Sequence, residues 1–350
     1  MEIPVNMGLL RINLGPKDFF PLFITPDSRR LFAGSRSGRL KVCDLQAAGA
    51  IEVIKDQEHP ILGAAPFVRG RSEDPEGCDA MQSVAVLLEG GLVKLIDLTT
   101  YKPVDTDFLH VGQHAERLAF SQDGKRMAVG YKGRAGNPQI AVFSSCTRAK
   151  LQELNGAKCW CNCEQVAFSP DGRHIIGISD NWLAVWDAKG KLVKEDDTED
   201  TMTPHSESSS TDIAVTPDSS KLIWLQATRT GYCVKVCDLK NYGDGVWELE
   251  DWGPRAIDIS RDGSQLIVAA YLAEFRREGI YEWSIRAPYG RIREHSSFCM
   301  IAEVQPDITF ARLTPDGSKI VAVSDEVTEK RVSTGNQFIT VYDYSRHHVL

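Results

Sequence analysis

Three thiols at alternate positions, Cys159, Cys161 and Cys163 in the run Cys-Trp-Cys-Asn-Cys, form the densest set of soft ligands in the chain. On an extended strand they would share one face. Zinc usually takes four ligands, commonly as separated Cys-x-x-Cys or His pairs. The spacing is therefore read as buried or incidental thiols, and no metal is expected. A second set has the side chains for acid–base chemistry: His114, Glu116, Arg117, His205, Asp212, Arg255, Asp258, His295 and Asp307, each a few residues ahead of or inside an apolar run. A general acid and base need only meet in space, so no linear motif is required of them. Linear motifs are in any case missing: the chain has no Gly-x-Gly-x-x-Gly, no phosphate-cradling Gly-x-x-x-x-Gly-Lys-Ser/Thr, no His-Glu-x-x-His and no Gly-x-Ser-x-Gly. A third set is purely electrostatic: Lys132, Arg134, Arg229, Arg276, Arg277, Lys330 and Arg331 in long polar connections, beside the acidic run Glu195, Asp196, Asp197, Glu199 and Asp200.

The elements that must position these residues announce themselves by repetition. The stretch Val166-Ala167-Phe168-Ser169-Pro170-Asp171-Gly172 returns at 22–28, 118–124, 213–219, 257–263 and 311–317, each time an apolar strand end running into a tight turn. The turn aspartates Asp27, Asp123, Asp171, Asp218, Asp262 and Asp316 are separated by 96, 48, 47, 44 and 54 residues. The first interval is a doubled period, so a degenerate copy belongs near residue 75, within 61–98. Pro fixes φ, Asp accepts from backbone amides beyond it and Gly takes positive φ, so these aspartates are scaffold devices and not catalytic groups.

Each unit follows one pattern. After the turn comes an apolar run, then a loop, then a run usually closing on Asp (LKVCDL, LVKLIDL, LAVWDA, VKVCDL, ITVYDY), then a more polar fourth strand such as AKLQEL or KLVKE. Short β-branched and aromatic runs between Gly, Pro, Asp and Ser turns are strand signals, and no comparable stretch carries a helical period. A period of about 40 to 50 residues with four strands per unit specifies an all-β fold, a seven-bladed β-propeller of four-stranded antiparallel blades. The blades are expected at approximately 15–56, 57–112, 113–157, 158–205, 206–252, 253–305 and 306–350, in a single domain. The last unit stops after its third strand, while residues 7–14 offer a spare one. The N-terminal strand, within 1–14, should complete the last blade and close the ring, removing an exposed edge.

Trp186-Asp187 is a true Trp-Asp dipeptide, and Cys43-Asp44, Ile96-Asp97, Cys237-Asp238 and Tyr342-Asp343 occupy the equivalent place. On these residues the chain resembles the WD-repeat and YVTN-like propellers over nearly its whole length. The Gly-His dipeptide that opens such repeats is absent, and their His, Ser, Asp, Trp hydrogen-bond set survives incompletely, as Ser179, Asp180 and Trp186.

Composition narrows the function. A formal net charge of −8 argues against a nucleic-acid partner. No stretch reaches the roughly 18 apolar residues of a membrane span, and no leader pattern opens the chain. Nine scattered cysteines without an Asn-x-Ser/Thr sequon read as free thiols in a reducing compartment, hence cytoplasm or nucleus. The fold itself hosts many activities, so function must come from departures from the repeat. The connections at 131–139, 227–232, 270–279 and 324–337 are long, all between second and third strands and hence on one face, which also receives 195–211; the other face holds mostly tight turns apart from an insertion at 69–79. The expectation is a monomeric, non-enzymatic interaction scaffold without cofactor, presenting Arg134, Arg229, Arg276, Arg277, Lys330 and Arg331 to a protein partner. The alternative is a propeller hydrolase, isomerase or cyclase, with a small molecule at the central channel and the acid–base set at its mouth.

Overall fold

The structure, a computed structural model, describes residues 10–16, 18–47, 51–54, 59–68, 82–133, 139–157, 162–179, 182–197, 212–228, 231–249, 252–272, 277–286, 290–291, 298–303, 308–327 and 333–344. The strands form seven sheets, each of four antiparallel strands, with Gly290–Arg291 added in parallel to Asp244–Leu249 in one of them. In chain order they run from Phe19–Ile24 to Ile51–Ile54, Ile61–Val68 to Pro103–His110, Ala115–Phe120 to Lys150–Leu154, Cys163–Phe168 to Leu192–Asp197, Ile213–Val215 to Asp244–Leu249, Trp252–Ile259 to Phe298–Glu303, and Ile308–Leu313 to Ser333–Asp343. Leu10–Pro16 is the fourth strand of the last sheet. It pairs antiparallel with Ser333–Asp343, with Leu10 opposite Val341 and Ile12 opposite Ile339. The fold is a seven-bladed β-propeller whose N-terminal strand completes the final blade.

Burial explains why the strands read as they do. Second strands such as Arg126–Tyr131 and His174–Ser179 are buried at every position after the first. A strand covered on both faces has no reason to alternate, and the sequence there is a continuous apolar run. Lys150–Leu154 is a sheet edge and accordingly buries only its last residue fully.

The chain divides into two compact units, one of residues 32–41 and 53–197, the other of 1–31, 42–52 and 198–350. In the first, Phe67 packs against Phe108 and Phe120, with ring centroids 5.8 and 5.1 Å apart. A second cluster there holds Trp186, Leu154 and Cys163 between the third and fourth blades. In the other unit, Trp247 and Trp252 meet Trp283 edge-on at 6.1 and 6.0 Å, and Trp252 lies 4.8 Å from Tyr281. Burying a large apolar side chain stabilises by about 1.5–3 kcal/mol, and an edge-to-face pair adds about 0.5–1.5 kcal/mol. These interblade aromatics are therefore principal anchors of the second unit.

Two expectations about connections are corrected. Residues 270–272, 277–279, 324–327 and 333–337 continue the hairpins as paired strand, with Leu272 opposite Arg277 and Val327 opposite Ser333. The backbone ladder is simply longer than the apolar core beneath it. Polar residues ride on the extension, and Asp325, buried, accepts from Gln337 Nε2 at 3.1 Å. Likewise Glu195, Asp196 and Asp197 belong to the fourth strand Leu192–Asp197 and not to a loop. Glu195 accepts from Trp182 Nε1 at 2.8 Å, which is why an acidic residue is held in that ladder.

Candidate functional site

The repeated turn proves more elaborate than Pro-Asp-Gly. Two residues before each aspartate stands a buried Ser or Thr: Thr25, Ser121, Ser169, Thr216, Ser260 and Thr314. In five of the six the hydroxyl donates to the aspartate Oδ1 at 2.5–2.6 Å. In all six it accepts from the amide five residues on, at 2.9–3.1 Å. The aspartate accepts from the amide two residues beyond itself at 2.9–3.1 Å. Hydrogen bonds from Ser260 and Ser264 draw the Asp262 carboxyl down to about 2. The aspartates are anionic acceptors closing a turn. The Asp that ends the third strand has the same role in the following turn: Asp44, Asp97, Asp187 and Asp238 each accept from two amides just beyond.

Four of the acid–base set, Glu116, Arg117, Asp212 and Asp258, engage neighbouring blades. In the first unit, Glu116 Oε2 accepts from the Cys163 amide at 2.7 Å, tying the third blade's first strand to the fourth's. Arg117 next to it donates to the carbonyls of Glu164 at 2.9 Å and Leu62 at 3.0 Å, so one side chain spans three blades. The placement comes from a bulge: Ala115 faces Tyr131 but Arg117 already faces Gly130, leaving Glu116 as the extra residue. Corresponding bulges fall at Leu62, Glu164, Arg255 and Thr309.

In the other unit, Asp212 sits just ahead of the fifth blade's first strand and accepts from the amides of Ile213 at 3.0 Å and Ile257 at 2.9 Å. Arg312 binds both its oxygens, at 2.5 and 2.7 Å, and donates to the Ile257 carbonyl at 2.9 Å. Asp258 accepts from Ile259 at 2.8 Å and Leu313 at 2.7 Å. Burial pushes the Asp258 carboxyl up, opposed by Arg312 and the two amides. Four of the nine residues thus belong to one interblade clasp in each unit, Glu116 and Arg117 in one, Asp212 and Asp258 in the other, while Arg255 is the extra residue of the sixth blade's bulge. His114 holds a positive φ of 71° and its carbonyl accepts from Lys132 N at 2.9 Å. His205, His295 and Asp307 lie outside the described residues.

Arg312 is absent from the acid–base set read from the sequence, although a signal for it exists there. In the repeated stretch the residue two before the turn Ser or Thr is Phe23, Ala119, Ala167 or Ala214 in four copies, but Asp258 and Arg312 in the other two. Charges replacing an apolar residue in consecutive copies mark positions that bind across blades, Arg312 to Asp212 and Asp258 to the Leu313 amide.

Of the expected docking charges, Arg134, Arg229, Arg276, Lys330 and Arg331 lie outside the described residues, and Arg277 is described only as the first residue of Arg277–Ser284. The 69–79 insertion, Cys159, Cys161, Asp180, Glu199 and Asp200 lie outside them too. Cys163 is buried against Gly130, where a Cβ would come 2.0 Å from its Sγ, and burial pushes its thiol well above the ordinary range. Among the described residues no group of His, Cys, Asp and Glu is arranged to hold a metal, and no helix is long and apolar enough to cross a membrane.

The blade grammar therefore defines a class before it defines a protein: a propeller assembled from Ser/Thr-x-Asp turns and closing aspartates. The model of the WD domain, G-beta repeat family matches residues 149–187. That segment runs from the third blade's last strand through the first three strands of the fourth, ending on Trp186-Asp187. Trp186 is fully buried and donates to the Asn155 carbonyl at 3.1 Å, so the Trp-Asp residues work as the blade's anchor and turn acceptor. The repeat match and the seven four-stranded blades together support membership of the WD-repeat propeller superfamily. No curated protein matches the chain.

Proposed function

We propose that the protein is a non-enzymatic interaction scaffold, a rigid propeller that presents the hairpin connections of one face to a protein partner. WD-repeat propellers typically serve as interaction platforms, which supports this reading at the level of class. The observation that carries it is the fate of the acid–base residues: Glu116, Arg117, Asp212 and Asp258 have their polar atoms engaged by the backbone of the next blade. The carboxylates of Asp212 and Asp258 accept through both oxygens, which makes them poor general bases. The docking charges of this reading are Arg134, Arg229, Arg276, Arg277, Lys330 and Arg331, which the sequence puts in or beside the connections between second and third strands.

The test begins with affinity purification of the intact protein and mass spectrometry of the proteins and small molecules retained. Replacing Arg276, Arg277, Lys330 and Arg331 with Glu is expected to weaken binding of the identified protein at least tenfold while leaving the melting temperature unchanged, since reversed charges act through encounter and complementarity. Charge reversal at Arg69, Arg71, Glu73 and Asp74 is the matched control. Undiminished binding by the first variant, or a loss confined to the second, would refute the choice of face.

A further inference from the structure

The junction between the third and fourth blades, just past Lys150–Leu154, carries a reactive pair that the scaffold reading does not use. Of the chain's asparagines only Asn155 is followed by glycine. The side-chain amide of an asparagine is open to attack by the backbone nitrogen of the next residue, and glycine, without a Cβ, leaves that nitrogen unscreened. Asn155 and Gly156 are both exposed, so water reaches the pair. Gly156 holds a φ of 103°, a conformation that side chains rarely adopt, so the chain path itself calls for glycine there.

The contacts around the pair favour that attack. The Gln139 amide donates to Asn155 Oδ1 at 3.2 Å. A donor in that place polarises Cγ and meets the negative charge that builds on the oxygen when a nucleophile adds. The Gln139 side chain clasps Ala157, Nε2 donating to its carbonyl at 2.6 Å and Oε1 accepting from its amide at 3.0 Å. Between these two held residues the Gly156 amide donates to no group among the described residues, which leaves its nitrogen available. The Asn155 main-chain carbonyl is already in use: it accepts from Trp186 Nε1 at 3.1 Å, the contact that anchors the buried indole of the Trp-Asp dipeptide.

We propose that Asn155 is a spontaneous modification site, whose conversion to isoaspartate loosens the hold of the third blade on the fourth. The Gly156 nitrogen bonds to Asn155 Cγ as the Cγ–Nδ2 bond breaks, and Nδ2 leaves as ammonia with the proton that the Gly156 amide gives up. Water then opens the resulting cyclic imide, with no change of oxidation state. Opening at the former main-chain carbonyl routes the backbone through Cβ and Cγ and turns that carbonyl, the Trp186 acceptor, into a free carboxylate. The chain between Lys150–Leu154 and Cys163–Phe168 is then lengthened by a methylene, and a new charge stands against an indole that is fully buried. Keeping that contact would strip water from the carboxylate, so the contact is disfavoured. The proposal does not depend on which face of the propeller binds a partner.

The test incubates the full chain at neutral pH, follows each asparagine by peptide mass spectrometry, and counts isoaspartate by methyl transfer from S-adenosylmethionine with an isoaspartyl carboxyl methyltransferase. Conversion at Asn155 is expected well ahead of Asn13, Asn241 and Asn336, none of which precedes glycine, and at a rate that rises with pH because the attacking amide must lose its proton. The isoaspartate form, separated by ion exchange, is expected to melt lower than the parent by about 2 °C or more. Asn155→Gln, whose longer side chain closes a less favourable ring, should take up no methyl at this position and melt as the parent does. Asn155→Asp carries the charge on an unaltered backbone and should melt above the isoaspartate form. An Asn155 that stays intact in the folded chain while a synthetic peptide of residues 150–158 converts would overturn the proposal, because the junction would then shield the pair. So would conversion that leaves the melting temperature unchanged, or an Asn155→Asp variant that melts as low as the isoaspartate form.

Discussion

Arg117 and Arg312 do the same work in different surroundings. Each reaches from the first strand of its own blade to a carbonyl on a neighbouring blade, Leu62 and Glu164 for one, Ile257 for the other. Arg117 is exposed, it donates to backbone carbonyls, and water shares the charge. Arg312 keeps only 24% of its side chain exposed, and Asp212, at 10%, holds it with two hydrogen bonds. A guanidinium in water can stitch blades with carbonyls alone. Taken out of water it needs a carboxylate, and the carboxylate then needs amides of its own, which Ile213 and Ile257 provide. The clasp grows with burial because each buried charge must be answered.

The largest expected effect breaks the buried clasp. Arg312→Met leaves Asp212 facing the first strands with its charge uncompensated, and should cost about 3–5 kcal/mol in denaturant unfolding. Adding Asp212→Asn should recover some of that loss, since the cost is the orphaned charge; a double variant as unstable as the sum of the two singles would show that packing dominates. Arg117→Met should cost only about 1 kcal/mol, the ordinary worth of solvent-shared hydrogen bonds. If it matches Arg312→Met, the distinction between the two clasps fails. The last effect is a pH dependence at Asp258, where burial raises the carboxyl against the opposing pull of Arg312 and two amides. Its folded-state pKa is raised, so the stability it contributes is present below the ordinary carboxylate range and is lost as pH rises through the folded value. Asp258→Asn should therefore gain on the parent as pH climbs from about 4 to 7, measured by melting temperature. A constant difference across that window would contradict the sign.

The fold was legible because its signals are local. Six turn copies and the apolar runs after them gave the blade count, and the spare strand at 7–14 anticipated Leu10–Pro16 in the last sheet. The turn's full chemistry was less visible, since Ser and Thr at its head look like ordinary loop residues until Oγ is seen accepting from the amide five residues on. The clasps were invisible for a different reason. Glu116 and Cys163 are 47 residues apart and Arg312 and Asp212 are 100 apart, so nothing in either neighbourhood names the other. Glu116, Arg117, Asp212 and Asp258 stood out in the sequence as candidates for acid–base chemistry, and the structure gives each a partner in a neighbouring blade's backbone.

Leu10–Pro16 leaves the ribosome long before Ser333–Asp343, the strand it pairs with. At roughly 5–20 residues per second, about 320 residues of synthesis separate them, a wait of about 15–65 s. During that interval the nascent chain carries an apolar strand with no sheet to join, and each finished blade exposes the side that its successor will cover. Completion is therefore a single late event that joins two distant stretches of the chain, and a translation product broken off before Ser333–Asp343 would leave the early strand without its partner. A propeller fastened in this way behaves in the cell as all or nothing, and its abundance should track how faithfully synthesis runs through that last hairpin.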